Sequence, residues 1–131
     1  MSLGKSSTPL GKVRGLGPAR VGGEHWMRER MISIALVPLS IWFLASLLWL
    51  PSLDQKSLAE WLRLPTAAVP MMLFVVLNFI HAVDGTKSWI DDYFHDDGNR
   101  FAAHLLLTFA AILGSAFALF ALARIAFGAA A

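Results

Sequence analysis

Residues 31–50 read MISIALVPLSIWFLASLLWL, an uncharged apolar run of the length, about 20 residues, that crosses the hydrocarbon core of a bilayer. Residues 101–123, the third span along the chain, form an equally clear apolar run, FAAHLLLTFAAILGSAFALFALA. A further segment, about residues 66–90, is apolar in its first part and more polar afterwards, and we expect its helix to continue to about Tyr93. The sequence therefore predicts an all-α integral membrane protein with three transmembrane helices.

The overall composition agrees with a membrane location. The chain has 131 residues, of which 56% are hydrophobic and 15% charged, and its mean hydropathy is +0.59. Soluble domains average about 45–50% apolar and about 25% charged residues. The absence of cysteine excludes disulfides, iron–sulfur clusters and thiolate zinc sites held by this chain. Any metal is therefore expected to have histidine or carboxylate ligands, and the small net charge of +2 gives no reason to expect nucleic-acid binding.

Basic residues are concentrated before the first span, which predicts a cytoplasmic N-terminus. The basic residues there are Lys5, Lys12, Arg14, Arg20, Arg28 and Arg30, whereas the loop after the first span has only Lys56 and Arg63. Residues 1–24 are rich in glycine and lack the apolar core of a secretory signal, so we interpret them as an extended cytoplasmic arm. Its role is either topogenic charge or docking on a soluble partner. With no internal repeat, residues 1–131 are predicted to form a single membrane-anchor domain.

Polar residues follow the apolar part of the second span in the stretch HAVDGTKSWIDDYFH, residues 81–95. His81, Gly85, Ser88 and Asp92 have the spacing i, i+4, i+7 and i+11, which places them on one stripe of a helix. His81 is expected near the middle of the span, where an ionisable side chain is costly and needs a partner. A haem fits this pattern, because iron binds an imidazole nitrogen and a porphyrin needs a surface free of side chains. The alternative is a hydrogen bond from His81 to a neighbouring helix, with Gly85 easing helix packing.

Other charged residues in this region allow simpler interpretations. His104 is expected close to the membrane interface, as a solvated or packing residue and not as a second axial ligand. Asp84 and Lys87 either pair at i, i+3 or face partner subunits. Asp96 and Asp97 are expected to form a solvated acidic loop that caps the third helix.

Two separated motifs give this chain a family resemblance. The stretch HAVDGTKSWIDDYFHDDG, residues 81–98, resembles the signature of the small hydrophobic membrane-anchor subunit of succinate dehydrogenase (complex II), a small cytochrome b subunit. In that signature the haem-ligating histidine is followed by glycine at the fourth position and by the tyrosine of an Asp-Tyr pair at the twelfth. The stretch VRGLGPARVGGEHWMRER, residues 13–30, resembles the segment that precedes the first span in bacterial anchors of this kind.

The resemblance implies a cofactor, a substrate and the residues that contact them. This chain and a larger cytochrome b anchor subunit would form a heterodimeric helical bundle around one haem b, with His81 as the axial ligand of the haem iron from this chain. Gly85, Arg30 and, less directly, His25 and Arg28 would surround the haem, the basic groups lying near its propionates. Tyr93 would hydrogen-bond ubiquinone with the support of Asp92.

The same resemblance implies the partners and the location. The iron–sulfur and flavoprotein subunits would bind at the cytoplasmic face of a bacterial inner membrane. This chain would hold no succinate site and no catalytic residue of its own, so it would be a non-catalytic anchor subunit of a succinate:quinone oxidoreductase, which acts in the citric acid cycle and the respiratory chain. Two other functions stay open at this point, a haem-free structural membrane scaffold and a small stand-alone b-type cytochrome.

Overall fold

The computed structural model describes residues 19–128, except for the side chains of residues 19–22, 24 and 25. The elements of this described range are all α-helices: α1 (Ala19–Trp49), α2 (Gln55–Leu62), α3 (Pro65–Tyr93) and α4 (Asp97–Ala126). The predicted all-α class is therefore confirmed. The chain divides into two compact units, one ending at Met31 and the other beginning at Ile32. The single-domain organisation stays a prediction.

Three of the helices are long and apolar enough to cross a membrane: Trp26–Trp49, Pro65–Tyr93 and Asp97–Ala126. The predicted spans are confirmed, and each helix extends beyond the apolar run that identified it. The first helix also begins earlier than expected, because residues 19–24, interpreted as the end of an extended arm, are helical. Adding residues to an existing helix needs no new nucleus, so the helix continues through its glycines despite their low propensity. Residues 1–18, the rest of that arm, lie outside the described part.

Aromatic pairs connect the helices of the second unit. The rings of Phe43 in α1 and Phe74 in α3 stack with centroids 5.5 Å apart, and Trp42 stacks on Trp61 of α2 at 5.7 Å. Such pairs add about 0.5–1.5 kcal/mol beyond the burial of their surface. They hold the apolar part of α1 against the helices that follow it.

The short helix α2 was not predicted from the sequence. Its N-cap is Asp54, whose side chain accepts a hydrogen bond from the backbone N–H of Ser57 at 2.8 Å. Hydrogen bonds from the Ser52 hydroxyl and from that backbone N–H hold the pKa of Asp54 below its ordinary value, because they stabilise the carboxylate. Asp54 is therefore a charged cap for α2 at neutral pH.

Helices α3 and α4 pack on each other as an antiparallel hairpin joined by residues 94–96. Asp96 caps α4 by accepting a hydrogen bond from the backbone N–H of Asn99 at 2.9 Å, which confirms the predicted capping role of this acidic loop. Arg100 pairs with Asp97 in the first turn. The close approach of the helices depends on Gly114, where an added Cβ would lie 2.9 Å from Cε1 of Phe79. This hairpin positions the residues of the candidate site.

Candidate functional site

The predicted polar stripe lies on the surface of α3. His81, Gly85, Ser88 and Asp92 are all exposed in this chain. From His81 to Tyr93, where the helix ends, the rise is about 18 Å, so His81 lies well inside the hydrocarbon part of the span. An imidazole facing lipid at that depth is costly, and histidines in spans almost always face a protein interior or a cavity. The stripe is therefore a surface suited to contact with a group outside this chain.

Gly85 leaves the surface next to His81 open. A Cβ added at this position would meet no heavy atom within 4 Å. The open position lies one helical turn from His81, on the side of the helix that leads to Tyr93. A flat group bound to the imidazole could therefore approach the backbone of α3 closely.

The opposite side of α3 is packed against the chain itself. Ile90 is 5% exposed, and Phe79, Val83 and Thr86 line a groove of about 240 Å³ between α3 and α4. Asp84 lies beside the stripe but is buried, with 4% of its surface exposed. Of the two interpretations offered for this carboxylate, contact with partner subunits is therefore not favoured, since its side chain is covered within this chain.

Tyr93 stands at the end of α3 with its ring on Trp89. The centroids of the two rings are 4.7 Å apart and their planes are tilted by 31°. Tyr93 is 65% exposed, and its neighbour Asp92 is exposed as well. The helix ends immediately afterwards, where the backbone N–H of Phe94 donates to the carbonyl of Ile90 at 2.9 Å. The phenol and the carboxylate are thus available at the surface, and the indole of Trp89 limits the positions that the phenol can take.

Two residues of this region were missed by the sequence analysis. Trp89 could have been identified from its i, i+4 spacing to Tyr93, which brings side chains together on a helix. His104 was expected to be a solvated or packing residue, but its Nε2–H donates to Oδ1 of Asp91 at 2.8 Å. The bond joins α4 to the last turn of α3. It uses the Nε2 atom of the imidazole.

The basic residues predicted to surround the haem lie in the first unit. The guanidinium of Arg30 stacks on the indole of Trp26, 4.3 Å from the ring centroid, and both side chains are exposed. The side chain of His25 lies outside the described ones. Among the described residues, no group of three or more His, Cys, Asp or Glu is arranged to hold a metal ion.

Three long apolar helices, one of which carries a polar stripe within its span, define a multi-pass helical membrane protein. The chain belongs to the family of succinate dehydrogenase/fumarate reductase transmembrane subunits, whose match covers residues 4–124.

Three relatives named succinate dehydrogenase hydrophobic membrane anchor subunit are similar to this chain. The protein from Paracoccus denitrificans is 34% identical over 125 residues, which cover 93% of this chain and 94% of the relative. The Rickettsia bellii protein is 30% identical over 82 residues, which cover 63% of this chain and 66% of the relative. The Rickettsia conorii protein is 30% identical over 83 residues, with the same two coverages. No solved structure matches the chain significantly.

Proposed function

We propose that this chain is the hydrophobic membrane-anchor subunit of a bacterial succinate dehydrogenase. The family match over residues 4–124 supports this proposal, as does the similarity to the Paracoccus denitrificans anchor subunit over nearly the full length of both proteins. The chain lies in the inner membrane with its N-terminus in the cytoplasm, as the excess of Lys and Arg before the first span predicts. Its partners are a larger cytochrome b anchor subunit, an iron–sulfur subunit and a flavoprotein subunit.

The exposed imidazole of His81 next to an open glycine is the observation that carries the haem proposal. His81 would hold the haem iron from this chain, and a histidine of the larger anchor subunit would hold it from the other side of the heterodimer. Gly85 fits this group because the space that a side chain would fill is open. The haem, when bound, provides one-electron oxidation and reduction within the membrane. The tasks of this chain are to supply one nitrogen ligand, to present a flat surface and to exclude water from that surface.

Arg30 and His25 are proposed to lie near the haem propionates. Arginine suits a pair of carboxylates because its guanidinium forms two parallel charge-assisted hydrogen bonds with them. Arg30 is exposed, and its contact with Trp26 leaves the edges of the guanidinium accessible to such bonds. The alternative role of Arg30 is topogenic charge alone.

Tyr93 and Asp92 are proposed to be the contribution of this chain to the ubiquinone site. The phenolic O–H donates a hydrogen bond to a carbonyl oxygen of the quinone, and this bond strengthens as negative charge develops on that oxygen during reduction. Asp92 orients Tyr93 or passes protons from the aqueous loop. The exposure of both side chains at the end of α3 supports this assignment. The remaining contacts to the quinone come from the partner subunits.

The haem proposal is tested by replacing His81 with leucine and purifying the whole complex. The low-spin haem absorption band should shift or weaken, while the soluble subunits still oxidise succinate with an artificial acceptor. His104→Leu is the matched control and should leave the band unchanged, because this histidine lies near the start of α4 and not near the middle of a span. An unchanged haem spectrum in His81→Leu would show that the ligand is another residue.

Expression of the chain by itself separates the other two candidate functions. A stand-alone cytochrome would show a six-coordinate haem, whereas the anchor subunit should show little or none without its larger partner. The position of His104 near the start of α4 weighs against a stand-alone cytochrome, because it leaves His81 as the one histidine near the middle of a span. A complete complex that reduces quinone at a normal rate without haem would favour the haem-free scaffold.

A further inference from the structure

The last turn of α3 is held by three contacts on different sides of the helix. Ile90 is buried against the chain, with 5% of its surface exposed. Asp91 accepts the hydrogen bond of His104 from α4. Tyr93 lies against Trp89 on the remaining side. Helix ends fray easily because their last carbonyls have no partner within the helix. A bond from a neighbouring helix at this turn therefore restricts how far the residues that follow Asp91 can move.

His104 is well placed to act as the fixed end of this bond. It lies in the second turn of α4, after the Asp96 cap and the Arg100–Asp97 pair that order the first turn. The side chain of His104 is 26% exposed, whereas that of Asp91 is 57% exposed. Thr108 donates to the carbonyl of His104 at 2.8 Å, so the backbone there is also engaged. The histidine is thus the more buried and better supported partner.

Asp91 and Tyr93 point to nearly opposite sides of the helix, because two residues correspond to about 200° of rotation. His104 therefore acts on Tyr93 through the backbone of the last turn, and not by contact with whatever Tyr93 binds. Small displacements of a binding group can reduce rates strongly, since reacting groups need to be held within a fraction of an ångström. A residue that fixes this turn would hold Asp92 and Tyr93 in position.

We infer that His104 is a positioning residue for the ubiquinone site, which it serves by holding Asp91 and, through it, the turn of α3 that carries Asp92 and Tyr93. This inference rests on the proposed role of Tyr93. It gives His104 a function separate from haem ligation. It also predicts that the bond has to be kept, while the imidazole ring itself can be replaced.

The test compares His104→Leu with His104→Gln in the complete complex. Leucine removes the donor, whereas the glutamine amide places an N–H near the position of Nε2. Succinate–ubiquinone reductase kcat/KM should fall by about threefold to tenfold in His104→Leu, mostly through a higher KM for the quinone, the size expected for one lost hydrogen bond. His104→Gln should retain most of the activity. Haem content and succinate oxidation with an artificial acceptor should stay normal in both variants.

A double-variant cycle distinguishes positioning from a general structural role. In a Tyr93→Phe background, His104→Leu should reduce kcat/KM little further, because the hydrogen bond that it positions is already absent. Independent, multiplicative losses would overturn the inference, and so would native kinetics in His104→Leu. If His104→Leu fails to assemble, Asp91→Ala tests the same bond from its exposed side and should give the same loss, with Asp91→Asn as the conservative variant.

The outcomes separate this inference from the proposed function. If Tyr93→Phe reduces activity and neither His104→Leu nor Asp91→Ala does, the quinone role of Tyr93 stands and the positioning role of His104 is wrong. If Tyr93→Phe has native activity, the proposed quinone site and the inference that depends on it are both wrong. The His81→Leu spectrum remains an independent test of the haem proposal in either case.

Discussion

Gly85 of α3 and Gly114 of α4 both lie in membrane-spanning helices, and their surroundings are opposite. A Cβ at Gly114 of α4 would lie 2.9 Å from the ring of Phe79, whereas a Cβ at Gly85 of α3 would meet nothing within 4 Å. The first glycine allows two helices of the same chain to pack closely. The second leaves an open surface on α3, where we propose that the haem lies.

The histidines of the two helices differ in the same way. In α4, His104 bonds Asp91, Thr108 bonds the carbonyl of His104, and Ser115 bonds the carbonyl of Ile112. In α3, the His81 imidazole is exposed at mid-span. Asn78 and Ser88 of α3 also bond carbonyls of their own helix, so the difference lies in the two imidazoles: that of His104 is bonded to Asp91, whereas that of His81 is exposed. In a membrane chain, an exposed polar group next to an exposed glycine is a better indication of a cofactor surface than either feature alone.

The largest effect is expected from filling the open glycine. Gly85→Leu places a side chain where a porphyrin would lie, and forcing bulk into a packed contact costs about 1–3 kcal/mol. Haem content of the purified complex should fall by about tenfold or more. The haem-to-protein ratio, read from the absorption spectrum, measures the effect. Ala121→Leu, at an exposed position of α4, is the control. A full haem content in Gly85→Leu would show that the haem does not use the open surface at Gly85.

Filling the packed glycine should instead destabilise the chain. Gly114→Leu collides with Phe79 and should lower the free energy of unfolding by about 1–3 kcal/mol. Gly114→Ala should cost less, because the nearest atoms belong to the far edge of a ring that can turn. Thermal unfolding in detergent, followed by circular dichroism, measures both. Phe79→Ala should partly restore stability to Gly114→Leu. If Gly85→Leu destabilises the chain as much as Gly114→Leu does, both glycines serve packing within the chain.

Tyr93→Phe tests whether the exposed end of α3 also has a function, namely binding of the quinone. The variant keeps the aromatic ring and its contact with Trp89 and removes only the hydroxyl group. Succinate–quinone reductase activity should fall by roughly tenfold, the order expected for a hydrogen bond to a developing charge. Haem content and assembly should be preserved. A native rate at saturating succinate would make Tyr93 an interfacial anchor only.

The smallest effect is expected at α2, away from both glycines. Because hydrogen bonds lower the pKa of folded Asp54, its carboxylate stabilises the helix start above the unfolded pKa, and this contribution is lost as the pH falls through the folded pKa. Amide exchange in α2 should therefore become less protected in acid. Asp54→Asn keeps a capping oxygen and removes the titration, so its protection should not change over that range. The same acid dependence in Asp54→Asn would assign the effect to another group.

The spans and the polar stripe could be predicted because both depend on residues close in sequence. Hydropathy identified the three helices, and helical periodicity placed His81, Gly85 and Asp92 on one side, which the structure confirms. The capping role of Asp96 was also predictable, since an N-cap acts within one turn. The charged and short helix α2 was missed because it has no long apolar run.

Contacts between helices could not be predicted in the same way. Asp91 and His104 are separated by a chain reversal, and no local pattern indicates that their side chains meet. The burial of Asp84 depends on what packs beside it, so the sequence left open a contact with partner subunits that the structure does not favour. The opposite surroundings of Gly85 and Gly114 likewise depend on tertiary packing, so the sequence left open whether Gly85 faces a cofactor or eases helix packing.

The connection of only three residues between α3 and α4 has a consequence for biogenesis. A short loop loses little entropy on closure, and contacts that are local in sequence form quickly. The hairpin is therefore expected to assemble as soon as its second helix has entered the bilayer, with the Asp91–His104 bond closing it. The exposed polar stripe of α3 would then be in its final conformation before any other subunit binds. The complex would then assemble on a hairpin that has already folded. The surface of this hairpin would fix the register in which the partner chain packs against it.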